Sequence, residues 1–276
     1  MEQKELYRLL DLQPEMVKQL EEIGADLDLE PLAPYIKQLT KRETAAQAYN
    51  DLKAALQEDE GNMKMLYCQL QSMCRTFENY KEKNIPVEVF TDTMKCYTRF
   101  IRECQKKNGR MFFDRGWWTF HQISMEIFRI GALEYQFGEY EGKNVLYVHI
   151  PSDADITDAS VDSSFEEAGK FFATYYGDYV YDKYVCESWL LSPVLASILP
   201  ETSHIKSFRN RFTIVKEEPE AKDFLEWLFQ VPDTTMTDYT SLSENTSLQR
   251  RAKELALAGT LIGVAWGVMD VPVYDK

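Results

Sequence analysis

The spacing of apolar residues changes part-way along the chain, and this change limits the folds that the chain can adopt. Up to about residue 110, apolar side chains recur every three or four positions, which is the period of an amphipathic α-helix. Beyond that point, short runs of β-branched and aromatic residues alternate with helical segments. The pattern predicts an α+β protein of two parts, an all-helical N-terminal region over residues 1–110 and a mixed region over residues 111–276.

Two apolar rows define the best predicted helices of the N-terminal region. The first row contains Leu66, Leu70, Met73, Phe77 and Tyr80. The second row follows Pro86, a residue favoured in a first helical turn, and contains Phe90, Met94, Tyr97, Ile101 and Cys104. We interpret both rows as core-facing, because a partner-binding groove with the same spacing is the rarer case.

The mixed region begins with a predicted β-hairpin. Glu141-Gly142-Lys143 lies between two strand-forming runs, and this turn chemistry favours antiparallel pairing. The predicted elements are, in order, a helix over 117–128, strands over 131–140 and 144–150, a helix over 160–176, a strand over 184–191, a short helix over 193–199, a strand over 208–216, a helix over 247–258 and a strand over 260–271.

Charge and cysteine content exclude several classes of protein. The net charge of −14 argues against a general nucleic-acid or anionic-membrane binder, since such proteins concentrate Lys and Arg. The longest uncharged run, Leu255–Met269, has 15 residues, fewer than the ~20 that a spanning helix needs. The five cysteines form no metal or redox spacing, and the first residues lack the apolar core of a signal peptide. We therefore expect a cytoplasmic protein without metal.

The charge is also unevenly distributed. Residues 1–110 carry 17 basic and 19 acidic side chains, whereas residues 111–276 carry 14 and 26. This shift predicts a domain boundary near Gly109.

Several widely spaced motifs resemble one family. They are Trp117–His121, Phe128–Gln136, His149–Ser152, Cys186–Pro193 and Ser203–Phe208, with Asn84–Thr93 upstream. In this order they resemble a bacterial group of acyltransferases in which a helical N-terminal region precedes a domain similar to the GNAT superfamily of N-acetyltransferases. The resemblance implies a mixed, largely antiparallel sheet flanked by helices. It also implies acetyl-CoA or another acyl-CoA as co-substrate.

The resemblance further implies a phosphate-binding loop between the second predicted strand and the following helix. Backbone N–H groups of such a loop hold the coenzyme A pyrophosphate at a helix N-terminus. The corresponding residues here are Ile150, Ser152, Ala154, Ile156 and Thr157. The segment departs from the family pattern, because residues 144–169 contain six acidic side chains and neither Lys nor Arg. By sequence, the nearest cations are Lys143 and Lys170.

Three residues are candidates for the chemistry of acyl transfer. Glu134, within the first predicted strand, and His149, at the end of the second, are candidate general bases. Each has a structural alternative, a salt bridge or a place on the solvent face for Glu134 and a satisfied strand-end histidine for His149. Cys186 is a candidate nucleophile, with core packing as its alternative. A hydrolase acting through Cys186 or Ser188 ranks last, because no G-x-S-x-G motif precedes either residue.

Two functions of different classes fit these residues. The leading hypothesis is acyl-CoA-dependent transfer to an amine or another small acceptor. The alternative is a catalytically silent GNAT-like module that binds a small metabolite or a protein partner. The sequence leaves the acceptor and the oligomeric state open. The feature that discriminates between the two functions is the loop, because glycines with cations favour transfer, whereas the acidic form found here favours binding or an altered donor. The most informative observation is whether the second and third predicted strands separate beside residues 150–160, because a pantetheine arm needs such a gap.

Overall fold

The computed structural model describes residues 1–231 and 233–272 of the chain. Residues 232 and 273–276 of the predicted mixed region lie outside them. Two compact units divide between Arg129 and Ile130. The division therefore falls later than the charge shift near Gly109 suggested.

The first unit is helical, as predicted. Its helices are α1 (Gln3–Leu9), α2 (Pro14–Asp26), α3 (Ala33–Gln38), α4 (Arg42–Leu56), α5 (Met63–Glu82), α6 (Val87–Met94), α7 (Cys96–Asn108) and α8 (Gly116–Ile123). The predicted row from Leu66 to Tyr80 lies on α5. The second row is divided between α6 and α7, which meet at Lys95, and its five apolar side chains are buried. Both rows therefore serve the core of this unit.

Buried hydrogen bonds explain why the segment after Gly109 belongs to the helical unit. The Gln69 amide on α5 donates to the carbonyl of Gly116, at 2.8 Å, and accepts the hydroxyl of Thr119, at 2.7 Å. The Thr76 hydroxyl, also on α5, donates to the carbonyl of Ile123 at 2.7 Å. These bonds attach α8 to α5. A count of charges does not detect them.

The second unit contains a sheet and further helices. The order along the chain is β1 (Ile127–Ile130, across the division), β2 (Leu133–Tyr140), β3 (Lys143–His149), α9 (Asp158–Tyr175), β4 (Lys183–Ser188), α10 (Pro193–Ile198), α11 (His204–Arg209), β5 (Thr213–Glu218), α12 (Asp223–Phe229), α13 (Ser247–Leu257) and β6 (Val264–Asp270). The six strands follow the spatial order β1-β2-β3-β4-β6-β5. Strands β3 and β4 run parallel, whereas β2–β3, β4–β6 and β5–β6 are antiparallel, which confirms the predicted α+β class.

The predicted hairpin forms β2 and β3. Its two-residue loop, Glu141 and Gly142, has φ values of 52° and 75°, the left-handed conformation that a tight type I′ turn requires. Pairing runs from Tyr140 opposite Lys143 to Glu134 opposite His149. The turn thereby sets which side chains of β2 and β3 share a face.

Aromatic side chains pack α9 against one face of the sheet. The Phe172 ring lies 5.2 Å from Phe137 and 6.3 Å from Tyr135, both on β2. The Phe165 ring lies 4.9 Å from Tyr184 on β4. The predicted helical spacing of Phe165, Ala168 and Phe172 is confirmed as the buried stripe of α9.

Several boundaries differ from the sequence-based expectation. The helix predicted over 117–128 ends at Ile123, because Met125 has φ of +58°, and β1 follows. The strand predicted over 208–216 begins at Thr213, and Phe208 lies on the short helix α11. Short apolar runs do not distinguish a strand from a buried helical turn, which accounts for both errors.

Candidate active site

The third and fourth strands pair over only part of their length. Their parallel ladder contains two pairs, Leu146 with Tyr184 and Tyr147 with Val185. Strand β3 continues to His149 and β4 continues to Ser188, beyond the last of these pairs. Over the same stretch each strand keeps its outer neighbour, since Glu134 pairs with His149 and Ala265 pairs with Ser188. The ladder between β3 and β4 therefore ends before the C-terminal ends of the two strands.

We call the space between 148–149 on β3 and 186–188 on β4 the cleft. It opens where β3 leads into residues 150–157 and then into α9. This is the place where the transferase hypothesis requires the two strands to separate. A parallel pair can separate at one end without loss of the sheet, because β2 and β6 satisfy the outer edges of the two strands.

The register brings Glu134 and His149 together. They are directly opposite each other on β2 and β3, so their side chains share a face of the sheet. Gln136 lies on the same face, because it is two residues from Glu134. Across the cleft, Val185 pairs with Tyr147, which places Glu187, two residues on, on this face as well. We call Glu134, Gln136, His149 and Glu187 the polar face.

A hydrogen bond fixes the His149 ring. Its Nε2 lies 2.8 Å from Oε1 of Gln136, and an amide oxygen can only accept. In the tautomer in which Nε2 donates to this oxygen, the lone pair of the neutral ring is on Nδ1. His149 is half-buried at the mouth of the cleft, and Glu134 opposite it is 3% exposed. This arrangement suits a group that accepts a proton.

Glu187 is a polar-face residue that sequence reasoning missed. Partial burial raises the pKa of its carboxyl, and the carboxylates of Glu218 and Asp223 raise it further, while Lys216 opposes them. Its cross-strand partner is Trp266 on β6, whose ring lies 5.4 Å from the Lys216 ammonium. Successive side chains of a strand point to opposite faces, so Glu187 and Cys186 lie on different faces of the strand over residues 183–188. This alternation could have identified Glu187 from the sequence.

The structure separates Cys186 from the polar face. Cys186 is fully buried on the other face of β4, the side of Tyr184 and α9. Burial raises the pKa of its thiol well above the ordinary value, and the nearby Glu187 carboxylate adds to the effect. A thiol of this kind is neither accessible nor ionised near neutral pH. Core packing accounts for Cys186.

We expect the Cys186 thiol to resist modification in the folded protein. With dithiobis(nitrobenzoate) at pH 8, Cys186 stays unlabelled over a time that labels it fully in urea, because its thiolate is scarce and enclosed. Cys74, which is only half-buried, reacts sooner than Cys186. Peptide mapping by mass spectrometry gives the labelling of each cysteine. Rapid labelling of native Cys186 would return it to the set of candidate nucleophiles.

The nearby serines make structural hydrogen bonds. The Ser188 side chain accepts the N–H of Leu190 at 3.1 Å and caps a short turn after β4. The Ser192 hydroxyl is buried and donates to the carbonyl of Ile262. Neither arrangement resembles an activated nucleophile, which has a base as its partner.

The residues predicted to bind phosphate form the connection between β3 and α9, and two of their backbone N–H groups are hydrogen-bonded within that connection. Ile150, Ser152, Ala154, Ile156 and Thr157 all lie between β3 and α9. The Ala154 N–H donates to the carbonyl of Pro151 at 2.9 Å, and the Thr157 N–H donates to the Asp155 carboxylate at 3.1 Å. These two amides are therefore engaged within the loop.

The acidic side chains at the start of α9 also have partners. Asp155 accepts the Thr157 N–H and the Ser160 hydroxyl, and these bonds lower its pKa. Asp158 accepts the Ser207 hydroxyl and a guanidinium N–H of Arg211, with Nη2 to Oδ1 at 2.8 Å, and both lower its pKa. These bonds hold the Asp155 carboxylate within the loop and the Asp158 carboxylate against Ser207 and Arg211.

Arg211 is a cation that the sequence did not assign to this region. It follows α11 and pairs with both Asp158 and Asp162 of α9. Lys170, one of the cations nearest in sequence, pairs instead with Glu166 at 2.6 Å. About fifty residues separate Arg211 from its partners, and no local pattern predicts contacts over such a distance.

Two further observations bear on the chemistry available. Within residues 1–231 and 233–272, no group of three or more His, Cys, Asp and Glu side chains is placed to hold a metal ion. None of the helices over the same residues combines the length and apolarity that a bilayer crossing demands.

Comparison with known proteins gives the family. The sequence profile of the N-acyltransferase N-terminal domain matches residues 1–125, and that of the GNAT-like C-terminal domain matches residues 127–269. No curated protein gives a significant match.

Solved acyltransferase structures share the fold. One, in complex with decanoyl-CoA and teicoplanin, has a TM-score of 0.80 at 21% identity, over 98% of this chain and 87% of that chain. A second, in complex with decanoyl-CoA, has a TM-score of 0.71 at 19% identity, over 99% of this chain and all of that chain. The GNAT-like profile covers just over half of the present sequence. The chain therefore belongs to the family of the GNAT-like C-terminal domain, and it carries the N-acyltransferase N-terminal domain ahead of it.

Proposed function

We propose that this protein is an acyl-CoA-dependent N-acyltransferase that acts on an amine or another small acceptor. The observation that carries the proposal is the cleft, where the ladder between β3 and β4 ends after Tyr147 and Val185 while both strands keep their outer neighbours. Separation of the two strands at this point would admit an extended pantetheine arm. The acyltransferase fold supports the same proposal, since structures with this fold are found in complex with acyl-CoA.

The residues around the cleft fit a phosphate-bearing donor. The first-turn amides of α9 are free of helical partners by geometry, and a helix N-terminus favours an anion. The Nε of Arg211 is buried and, within the described residues, has no hydrogen-bond partner. This N–H is an unused donor of the guanidinium, and it would become accessible to a phosphate oxygen only when the side chain turns. The internally bonded amides of Ala154 and Thr157 are poorly suited to this task, so the proposed donor contacts lie further along, on α9 and Arg211.

Proton transfer is assigned to the polar face. The acceptor nitrogen attacks the thioester carbonyl of the donor. The C–S bond breaks, and CoA leaves as a thiolate that takes up a proton from solvent. His149 accepts the proton of the acceptor nitrogen at Nδ1, while Gln136 holds the ring at Nε2. Glu134 stabilises the resulting positive charge from the opposite strand position. Glu187 lies on the same face of the sheet, on β4 across the cleft from His149.

Calorimetry and thiol release test the proposal together. We expect acetyl-, octanoyl- or decanoyl-CoA to bind, and thiol release from at least one of them to increase when a panel of small amines is added. Binding without thiol release on any amine would support the silent GNAT-like module, for which the acidic loop is the favouring observation. Absence of binding to all three at millimolar concentration would contradict the proposed function.

A further inference from the structure

Arg211 occupies a position from which it can serve two alternative partners. Its guanidinium contacts Asp158 through Nη2 and Asp162 through Nη1, and its side chain is 22% exposed. The third donor site, Nε, is buried and unpartnered within the described residues. A guanidinium matches the geometry of a phosphate as well as that of a carboxylate, because both present oxygens that accept two parallel N–H donors.

The backbone at Arg211 is fixed, so that only the side chain can change partners. Phe208 and Phe212, on either side, are 1% and 5% exposed, and their rings lie 5.3 Å apart. Arg209 donates from Nε to the carbonyl of Leu191 at 3.0 Å, which ties the end of α11 to the turn after β4. The guanidinium therefore stays at the first turns of α9 whichever partner it has.

Arg211 supplies positive charge to a segment, residues 144–169, that has acidic side chains but no Lys or Arg of its own. These residues form the loop and the start of α9. The carboxylates of Asp158 and Asp162 are 55% and 63% exposed, so each pair with Arg211 is a weak one, about fivefold in equilibrium terms at most. A doubly charged phosphate group can displace partners held this weakly.

We propose that Asp158 and Asp162 compete with an acyl-CoA phosphate for Arg211, so that these ion pairs limit the affinity for the donor. The inference rests on the proposed function. Arg211 is then the cation that binds the donor phosphate. The carboxylates of Asp158 and Asp162 lower the affinity for the donor, because they compete for the same guanidinium. An acidic donor loop and donor binding are then compatible, because Arg211 leaves its carboxylates when the phosphate arrives.

A double-mutant cycle with CoA as the probe tests the competition. Arg211→Gln is expected to weaken CoA binding in calorimetry by about tenfold, as expected for a lost charge-assisted phosphate contact. Asp162→Asn is expected to strengthen it by about threefold, because Arg211 loses a competitor. In the Arg211→Gln background, Asp162→Asn is expected to give no such gain.

Two controls separate the competition from a general change of charge. Glu167→Gln removes one negative charge from the same helix, where the carboxylate accepts the Ser163 hydroxyl and not Arg211. It is expected to change CoA affinity less than twofold, because charges of this kind are screened by solvent and salt. Pantetheine, which has no phosphate, is expected to bind all variants alike. Melting curves confirm that each variant is folded.

The possible results of these binding measurements distinguish the competition for Arg211 from the proposed function itself. A gain from Asp162→Asn that persists without Arg211, or that Glu167→Gln matches, would overturn the competition. Unchanged CoA affinity in Arg211→Gln would overturn the role of Arg211 and leave the proposed function intact. Absence of CoA and decanoyl-CoA binding by both the wild type and Asp162→Asn would overturn the inference and the proposed function together.

Discussion

Replacing His149 with Gln is expected to lower kcat/KM for acyl transfer by about 10²–10⁴-fold, the range typical for the loss of a general base. Donor affinity is expected to stay near the wild-type value. In the proposed mechanism Nδ1 of His149 accepts the proton, while Nε2 is hydrogen-bonded to Gln136 at 2.8 Å. Gln keeps a polar side chain of similar length but offers no basic nitrogen. Thiol release gives the rate, and calorimetry gives the affinity.

His121→Gln is the matched control for this substitution. His121 lies on α8 of the helical unit and is hydrogen-bonded to Glu126 at 2.8 Å. Its loss is expected to leave kcat/KM unchanged. Glu134→Gln and Glu187→Gln locate the base further. One result would contradict the role of His149: His149→Gln changes kcat/KM less than tenfold, while Glu134→Gln or Glu187→Gln lowers it about 10²-fold or more. The base would then be a carboxylate of the polar face.

Replacing Phe172 with Ala is expected to destabilise the second unit by about 3–5 kcal/mol, the cost typical for deleting a buried aromatic ring. Phe172 is 1% exposed. Its ring contacts those of Tyr135 and Phe137 on β2, and that of Tyr181 before β4. The deletion leaves a cavity between α9 and the sheet that the aromatic neighbours can fill only in part.

Hydrogen exchange measures this effect within the second unit. Amides of α9 and β2 are expected to lose protection in Phe172→Ala in proportion to the lost stability. Tyr175→Ala is the matched control on the same helix, because Tyr175 is only half-buried and its ring contacts Phe171 alone among the described ring pairs. It is expected to cost about 1 kcal/mol or less. Equal losses of protection in the two variants would contradict the placement of the core.

Local patterns predicted those parts of the fold that neighbouring residues determine. The hairpin followed from Glu141-Gly142 between two strand-forming runs, and the structure has both residues at positive φ. The stripe of α9 followed from the spacing of Phe165 and Phe172. Strand β1 was missed, because Ile127–Ile130 continues the apolar run of a helix and only its pairing in the sheet makes it a strand.

In the candidate site, too, local alternation predicted which side chains of one strand share a face, but not the contacts between distant segments. Alternation places Glu134 and Gln136 on one face, and the structure has both on the face of His149. The contact between Arg211 and Asp158 joins segments about fifty residues apart, and no periodic pattern carries that information. The face of Cys186 was open to prediction from alternation, but without the register of β4 against β6 the direction of that face could not be assigned.

Hydrogen exchange with and without decanoyl-CoA tests the cleft most directly. The amides at 148–149 and 186–188 that point into the cleft are expected to exchange rapidly in the free protein and slowly once the donor is bound. Amides beside the turn at Glu141 and Gly142 are expected not to respond. Strong protection of both cleft segments without ligand, or unchanged exchange in the presence of a donor that calorimetry shows to be bound, would contradict donor binding between β3 and β4.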